Sequence, residues 1–271
     1  MTRVVLVTGA SSGIGAATAR RFAEMSRTEL VLVARRDERL RALARELGGA
    51  AVVVADITEP QAPRRIADAL ESEHGRLDVL VNNAGAGWDG RFAETGWGNV
   101  ARSLELNFNA QVRLTEALLP LLRRSAPSAI VNVSSTAGRV TRAGSGAYGA
   151  SKAALCLWTE ALHLEERPHR VHVGLVLPGP VPTEGFPVEE VLQHPLGRWF
   201  VGSDRGVAEA IADCAVHRRA ERYSPRIYGL AAVIGAAAPG LVRTALMRGI
   251  GGDGGAAGLR DAGPGLSDTR A

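Results

Sequence analysis

Short apolar runs recur along this chain with helical stretches between them, and that alternation restricts the fold more than any bulk property. The runs are Val4 to Val7, Leu30 to Val33, Ala51 to Val54, Val79 to Val81, Ile130 to Val133 and Val171 to Leu177. Each is apolar on consecutive residues, which is the pattern of a strand buried on both faces in a parallel sheet. Between the runs, Leu40, Leu43 and Leu47, and later Leu114, Leu118 and Leu121, recur at helical spacing. Strand and helix in alternation predict an α/β architecture, a doubly wound parallel sheet with right-handed crossovers. A chain of 271 residues, 46% apolar, can bury the core of one such domain.

In a sheet of this kind a ligand sits beyond the carboxyl ends of the strands, near the point where strand order reverses. Chemistry-bearing motifs should therefore follow strands. After the first run comes Thr8-Gly9-Ala10-Ser11-Ser12-Gly13-Ile14-Gly15, leading into a helix through Ala16, Ala17 and Phe22. Glycines permit a tight turn and close backbone approach, and a helix N-terminus offers free N–H groups to a pyrophosphate. The spacing differs from G-x-G-x-x-G, and any strand-to-helix turn favours glycine. Its place after the first strand points to the dinucleotide site of a Rossmann fold. After the second run the chain reads Ala34-Arg35-Arg36-Asp37 where an acid would accept the ribose 2′-OH of NAD. A guanidinium at Arg35 suits a 2′-phosphate, so NADP(H) is expected ahead of NAD(H). The competing reading is another surface arginine, with Asp37 close by. Asp56 after the third run suits an adenine amino group or a turn cap. After the fourth, Asn82-Asn83-Ala84-Gly85 places small residues and amides where a strand ends close to a ligand.

Lys152 is the only lysine among 32 basic residues, and it stands four residues after Tyr148, one of three tyrosines. Arginine is planar and bulky, whereas lysine is a compact point charge with rotatable donors. At i and i+4 of a helix the two side chains share a face. A nearby cation favours phenolate, which would bring Tyr148 toward acid–base work near neutral pH. A solvated pair on a helix face accounts for the same spacing.

The two cysteines, Cys156 and Cys214, lie in helical stretches and give neither a disulfide framework nor a metal cluster. The histidines are scattered, and no metal is expected. The N-terminus enters a strand at once, without a charged leader and hydrophobic signal segment, so a cytoplasmic location is expected. Net charge is +4, but arginines are spread along the chain and interleaved with acids, which speaks against nucleic acid as a partner.

In order, Thr8 to Gly15, Asp56, Asn82 to Gly85, Asn107, Ser135, Tyr148-x-x-x-Lys152 and Pro178-Gly179-Pro180-Val181-Pro182-Thr183 resemble the short-chain dehydrogenase/reductase family over about residues 3 to 230. The separation of thirteen from Ser135 to Tyr148 is similar to family members. The resemblance implies that Tyr148 exchanges a proton with a carbonyl or alcohol oxygen while hydride passes to or from the nicotinamide. It further implies that Ser135 hydrogen-bonds the reacting oxygen, that Lys152 binds the nicotinamide ribose and lowers the Tyr148 pKa, and that Asn107 holds a relay water. Asn107 breaks an apolar helix face, where a polar group costs stability unless bonded. Implied cofactor contacts are Gly9, Ser11, Ser12, Gly13, Ile14, Gly15, Arg35, Asp56, Ile57, Asn83, Ala84, Gly85, Lys152, Pro178, Gly179, Val181 and Thr183.

By the same resemblance, residues 184–203 form a substrate lid whose Phe186, Val188, Val191, Leu192, Leu196, Trp199 and Phe200 suit a hydrophobic small molecule. Lid packing or a dimer contact explains them equally, and Trp88 and Trp97 would add to the pocket. The family's short final strand and Asp-Gly-Gly-like ending are replaced by Tyr223 to Tyr228 and an apolar run into residues 229–250. Pro239 and Arg243 make that run too weak for a membrane span. Packing on its own domain or on a second subunit is expected of it, and weak contact with an anionic membrane surface is the rival. Residues 1–250 are thus read as a single catalytic domain and 251–271 as a disordered glycine-rich tail. A homo-oligomer is expected by analogy, with Leu114 to Leu122 and Leu155 to Leu164 as its seam. Beside the NADP(H)-dependent carbonyl reductase, two other readings stand: dehydration, epimerisation or cyclisation on the same scaffold, and a nucleotide-sensing or membrane-surface binding protein.

Overall fold

The computed structural model describes residues 2–140, 142–182, 184, 201–238, 240 and 244. The chain divides into two compact units, 1–232 and 233–271. Six strands appear where the apolar runs stand: β1 (Arg3–Thr8), β2 (Thr28–Ala34), β3 (Ala51–Val54), β4 (Val79–Asn82), β5 (Ser128–Val133) and β6 (Val171–Pro178). A seventh, β7 (Glu221–Ser224), pairs in parallel with β6. Its sequence, Glu-Arg-Tyr-Ser, has no apolar run to betray it, so the short final strand exists where sequence reading saw a departure. Every pairing is parallel, and the order β3-β2-β1-β4-β5-β6-β7 reverses between β1 and β4.

The helices are α1 (Gly13–Ala23), α2 (Asp37–Glu46), α3 (Ala62–Glu73), α4 (Phe92–Leu104), α5 (Ala110–Arg124), α6 (Gly146–Glu166), α7 (Asp204–His217) and α8 (Ile227–Ala237). Because successive side chains of a strand point to opposite faces, one strand feeds two cores. Val5 and Val7 join Phe22 of α1, Leu40 and Leu43 of α2 and Ile211 of α7. Val4 and Leu6 join Ile66 and Leu70 of α3, Leu114 and Leu118 of α5 and Leu162 of α6. This is the doubly wound α/β fold that the alternation predicts. The leucines expected to form an oligomer seam are mostly spent here: Leu114, Leu118, Leu121, Leu122, Leu155 and Leu162 are buried in the chain's own interior, and Leu157 and Leu164 of α6 remain exposed.

A buried polar chain crosses the sheet beside the site. Asn82 Nδ2 donates to Thr115 Oγ1 of α5 and to Asn132 Oδ1 of β5, each at 2.9 Å, and Asn132 Nδ2 donates to Thr159 Oγ1 of α6 at 2.9 Å. Burying an amide group costs stability unless it is bonded, so these partners register α5, β4, β5 and α6 on one another. Among the described residues, no helix is long and apolar enough to cross a membrane.

Leu118 is fully buried, so Leu118→Ala should lower the unfolding free energy by about 2–5 kcal/mol through lost transfer energy and a cavity. Urea denaturation checks this, and a loss well under 1 kcal/mol would mean that the α5 face collapses to fill the space.

Candidate active site

The end of β1 and the end of β4 are clasped together. Thr8 Oγ1 donates to Val81 O at 3.1 Å and accepts from Asn83 N and Ala84 N at 2.9 and 3.0 Å, while Asn83 Nδ2 donates back to Thr8 O at 2.8 Å. The clasp leaves no room for a side chain at Gly9: φ is +68°, and a β-carbon there would stand 2.9 Å from Asn83 Nδ2. Ser12 precedes α1 in extended geometry without a side-chain capping bond to the helix. The first-turn N–H groups of α1 thus carry no side-chain cap at this glycine-rich turn, and free N–H groups at a helix start are what a pyrophosphate requires.

On the other side of the clasp, residues 84–87 run against α6. Gln111 Nε2 holds Ala84 O at 2.7 Å. Asn107 lies in a single π-helical turn, Glu105–Asn109, between α4 and α5, a local form common at functional sites. Its amide grips the Ala86 backbone on both edges, Oδ1 accepting from Ala86 N at 3.0 Å and Nδ2 donating to Ala86 O at 2.9 Å, with Ser151 Oγ at 3.1 Å. A β-carbon on Gly85 would meet Asn107 Oδ1 at 2.8 Å and Lys152 Nζ at 3.2 Å. Asn107 is therefore a bonded brace for the 85–87 backbone next to Lys152.

Tyr148 and Lys152 project from the first two turns of α6, as their spacing predicts. Lys152 is buried, donates from Nζ to Val133 O at 2.9 Å, and stands 5.9 Å from the centre of the Tyr148 ring. Burial pushes its ammonium down to about 8. The Tyr148 phenol is raised above its ordinary value, first by burial; its side-chain hydrogen bond with Ser135 works the other way, and the Asp89 carboxylate adds to the rise. The resemblance implied a phenol lowered by Lys152; here desolvation dominates, and the group is a neutral acid through neutral pH. Ser135 closes the cluster from just beyond β5, its Oγ accepting from Ala137 N at 3.1 Å and lying 3.5 Å from Pro178 O. Its neighbour Ser134 is turned inward, donating to Lys152 O at 2.8 Å.

At the far end of the turn the structure separates the two arginines. Arg35 is 75% exposed and points to Asp56, 3.5 Å away. Arg36 instead lies across the glycine-rich turn, donating to Ser11 Oγ from Nε and Nη2 at 3.1 and 3.0 Å and to Ser12 Oγ at 2.6 Å. Arg36 is thus the arginine in contact with the turn, and Arg35, the residue expected to suit a 2′-phosphate, stands exposed beside Asp56; adjacent residues diverge where a strand ends, and sequence alone does not tell which one turns inward. Asp56 spends Oδ1 on Thr58 N and Thr58 Oγ1 at 3.0 and 2.7 Å, the turn-capping alternative. Ile57 is buried in the core beneath α3, and Ile14 packs partly buried against the core on the α1 face.

Pro178 ends β6, Gly179 N donates to Ser224 O at 2.8 Å, and Val181 is buried. Thr183 and 185–200, with every lid residue named above, lie outside the described residues, as do 251–271. Trp97 is 70% exposed on α4, and Trp88 lies under the Arg102 guanidinium, 4.9 Å from its ring centre. Sequence reading missed Thr8 as the clasp, Gln111, and a bridge over the mouth of the site. In that bridge Gly90 N donates to Gly144 O at 2.7 Å, and Arg142 pairs with Asp89 at 2.7 Å. Among the described residues, no group of three His, Cys, Asp or Glu could hold a metal ion.

This fold with this cluster defines an oxidoreductase class. The family model described as short chain dehydrogenase matches residues 3–189, and the chain belongs to that family. It is 34% identical over 177 residues to a 3-ketodihydrosphingosine reductase of Bacteroides thetaiotaomicron, covering 65% of this chain and 63% of that one. It is 41% identical over 190 residues to 11-beta-hydroxysteroid dehydrogenase 1A of Arabidopsis thaliana, covering 67% of this chain and 53% of that one. The chain thus spans less than two thirds of either relative's length. Among solved structures, a short-chain dehydrogenase from Streptomyces avermitilis superposes with a TM-score of 0.76 at 29% identity, over 91% of this chain and 97% of that one. The RhlG/NADP active-site complex of Pseudomonas aeruginosa gives 0.72 at 29% identity, over 80% and 90%.

The Lys152 ammonium has an ordinary value of 10.5 and about 8 in the folded protein. Between those values the unfolded chain binds more protons, so stability rises with pH across that window. Relative to Lys152→Met, the wild-type unfolding free energy should increase as pH is raised from about 8 toward 10, on the order of 3 kcal/mol over the full window. A difference that stays flat would mean that the ammonium is not desolvated.

Proposed function

We propose that this protein transfers hydride between NADP(H) and a carbonyl or secondary alcohol of a hydrophobic small molecule, with Tyr148 as the proton donor or acceptor. The observation that carries this reading is the placement of Tyr148, Ser135 and Lys152 together at the carboxyl ends of β5 and β6, across the clasp from the glycine-rich turn. When bound, the dinucleotide supplies or accepts the hydride. The first turn of α1 with Gly9, Ser11, Ser12, Gly13 and Gly15 would hold its pyrophosphate, Arg36 its 2′-phosphate, and Lys152 the ribose near the nicotinamide.

The chain's own part is the proton. A phenol raised by burial is protonated at neutral pH, so Tyr148 stands ready to protonate a carbonyl oxygen that Ser135 orients. Lys152, its Nζ now on Val133 O, is a cation that can turn toward ribose hydroxyls while keeping the site positive as the phenol loses its proton. The clasped backbone and the Asn107 brace keep these groups from drifting, which is the positional share of the rate.

Arg36 in contact with both serines of the turn supports NADP(H) ahead of NAD(H). Relatives named for a sphingosine and for a steroid support an apolar substrate. Leu157 and Leu164, 69% and 70% exposed on α6, support a homo-oligomer.

Titration with NADPH and NADH, followed by nicotinamide oxidation against lipophilic ketones and aldehydes, tests the whole reading; no carbonyl-dependent oxidation would refute it. Tyr148→Phe should cut turnover by about 10²–10⁴-fold, the usual worth of a positioned proton donor, with the Kd for NADPH nearly unchanged. Wild-type turnover in that variant would remove Tyr148 from the mechanism. Arg36→Ala should weaken NADPH far more than NADH, while Arg35→Ala should affect both little; the reverse ranking would return the 2′-phosphate to Arg35.

A further inference from the structure

Glu184, just beyond β6, reaches across the mouth of the glycine-rich turn. Its Oε2 accepts from Arg36 Nη1 at 3.0 Å, and Oε1 and Oε2 accept from Arg39 Nη1 at 2.7 and 2.8 Å. Arg36 precedes α2 and Arg39 lies in its first turn, so the two guanidiniums flank one carboxylate. Arg36 simultaneously holds Ser11 Oγ and Ser12 Oγ. The neighbouring acids are engaged elsewhere, Asp37 with Arg41 at 2.7 Å and Asp56 with Arg35 at 3.5 Å. Two guanidiniums converge on one point, and two hydroxyls hold Arg36 by its other edge, which makes a site for an anion with several oxygens. A carboxylate from the chain itself already sits in it.

We propose that Glu184 is an internal occupant of the Arg36–Arg39 anion site, which a phosphate monoester on the adenosine ribose must displace. Glu184 thereby sets the margin by which the protein prefers phosphorylated over unphosphorylated dinucleotide. This rests on the NADP(H) reading above and extends it from which residue binds the phosphate to which residue opposes it.

The chemistry favours exchange. A phosphate monoester carries up to two charges and three terminal oxygens at neutral pH, against one charge and two oxygens for the carboxylate. All three side chains are substantially exposed, Arg36 at 44%, Arg39 at 49% and Glu184 at 60%. Exposed ion pairs are weak, so this one can be displaced yet still subtracts from the incoming phosphate's gain. Held by Arg39 first and then Arg36, the Glu184 carboxyl lies below its ordinary range and is ionised at neutral pH, so the competition is present under ordinary assay conditions. An unphosphorylated ribose has no group to contest the arginines and leaves the ion pair intact.

The experiment is calorimetric titration of wild type and Glu184→Gln with 2′,5′-ADP and with 5′-ADP, probes that carry the adenosine end without the nicotinamide. The proposal expects Glu184→Gln to bind 2′,5′-ADP roughly two- to fivefold more tightly, the scale of one exposed ion pair, with 5′-ADP unchanged. If wild type prefers 2′,5′-ADP and Glu184→Gln leaves both constants where they were, the proposal is overturned while the NADP(H) reading stands. If wild type and Glu184→Gln each bind the two probes alike, the 2′-phosphate site itself is refuted and the proposal goes with it. Equal tightening for both probes would also overturn it, because Glu184 would then repel the dinucleotide generally.

Discussion

Hydrogen bonds between the ends of β1 and β4 hold the rest of the site in place. Strand order reverses between these two strands, so the chains leaving them part in opposite directions and open a crevice. Left alone, the exposed backbone groups at such an opening would be satisfied by water and free to move. Thr8 and Asn83 prevent that by spending one hydroxyl and one amide on four backbone groups. On one side the clasp presents the glycine-rich turn and the first turn of α1. On the other it starts the 84–87 backbone that Gln111 and Asn107 carry to Lys152. The cofactor end and the chemical end are thus two sides of one hydrogen-bonded knot.

Electrostatics at the two ends follow different rules. Lys152 is buried and Tyr148 is partly so, and desolvation shifts both groups toward their neutral forms, the phenol upward and the ammonium down to about 8. At the mouth of the turn the groups are exposed, and Arg36, Arg39 and Glu184 form a solvent-facing ion cluster. In the function proposed, desolvation would serve the proton step, and solvent exposure would keep the proposed anion site open to exchange.

Much of this was legible before any coordinates. Apolar runs on consecutive residues located six strands, because a strand covered by helices on both faces has no reason to alternate. The seventh was invisible: β7 lies at the sheet edge and carries Glu221 and Arg222, and its pairing comes from β6 and not from its own composition. The Tyr148 and Lys152 pair was legible because i, i+4 geometry is local. The choice between Arg35 and Arg36 was not, since one residue of rotation at the end of β2 reverses which side chain faces the turn. The sign of the Tyr148 shift was hidden for a related reason, as a neighbouring cation is written in the sequence but burial is not.

By itself the sequence determined the βα alternation, the position of the glycine-rich turn, and the residues whose spacing puts them on one helix face, because each depends on periodicity within a single element. Only the tertiary structure decided how those elements meet. It brought Thr8 to Asn83, turned Asn107 onto Ala86 through a π-helical turn, and spent the α5 leucines on the interior. It also laid Glu184 against two arginines nearly 150 positions earlier in the chain. Such contacts join groups far apart in sequence, and their partners are selected by packing and desolvation, which no local pattern encodes.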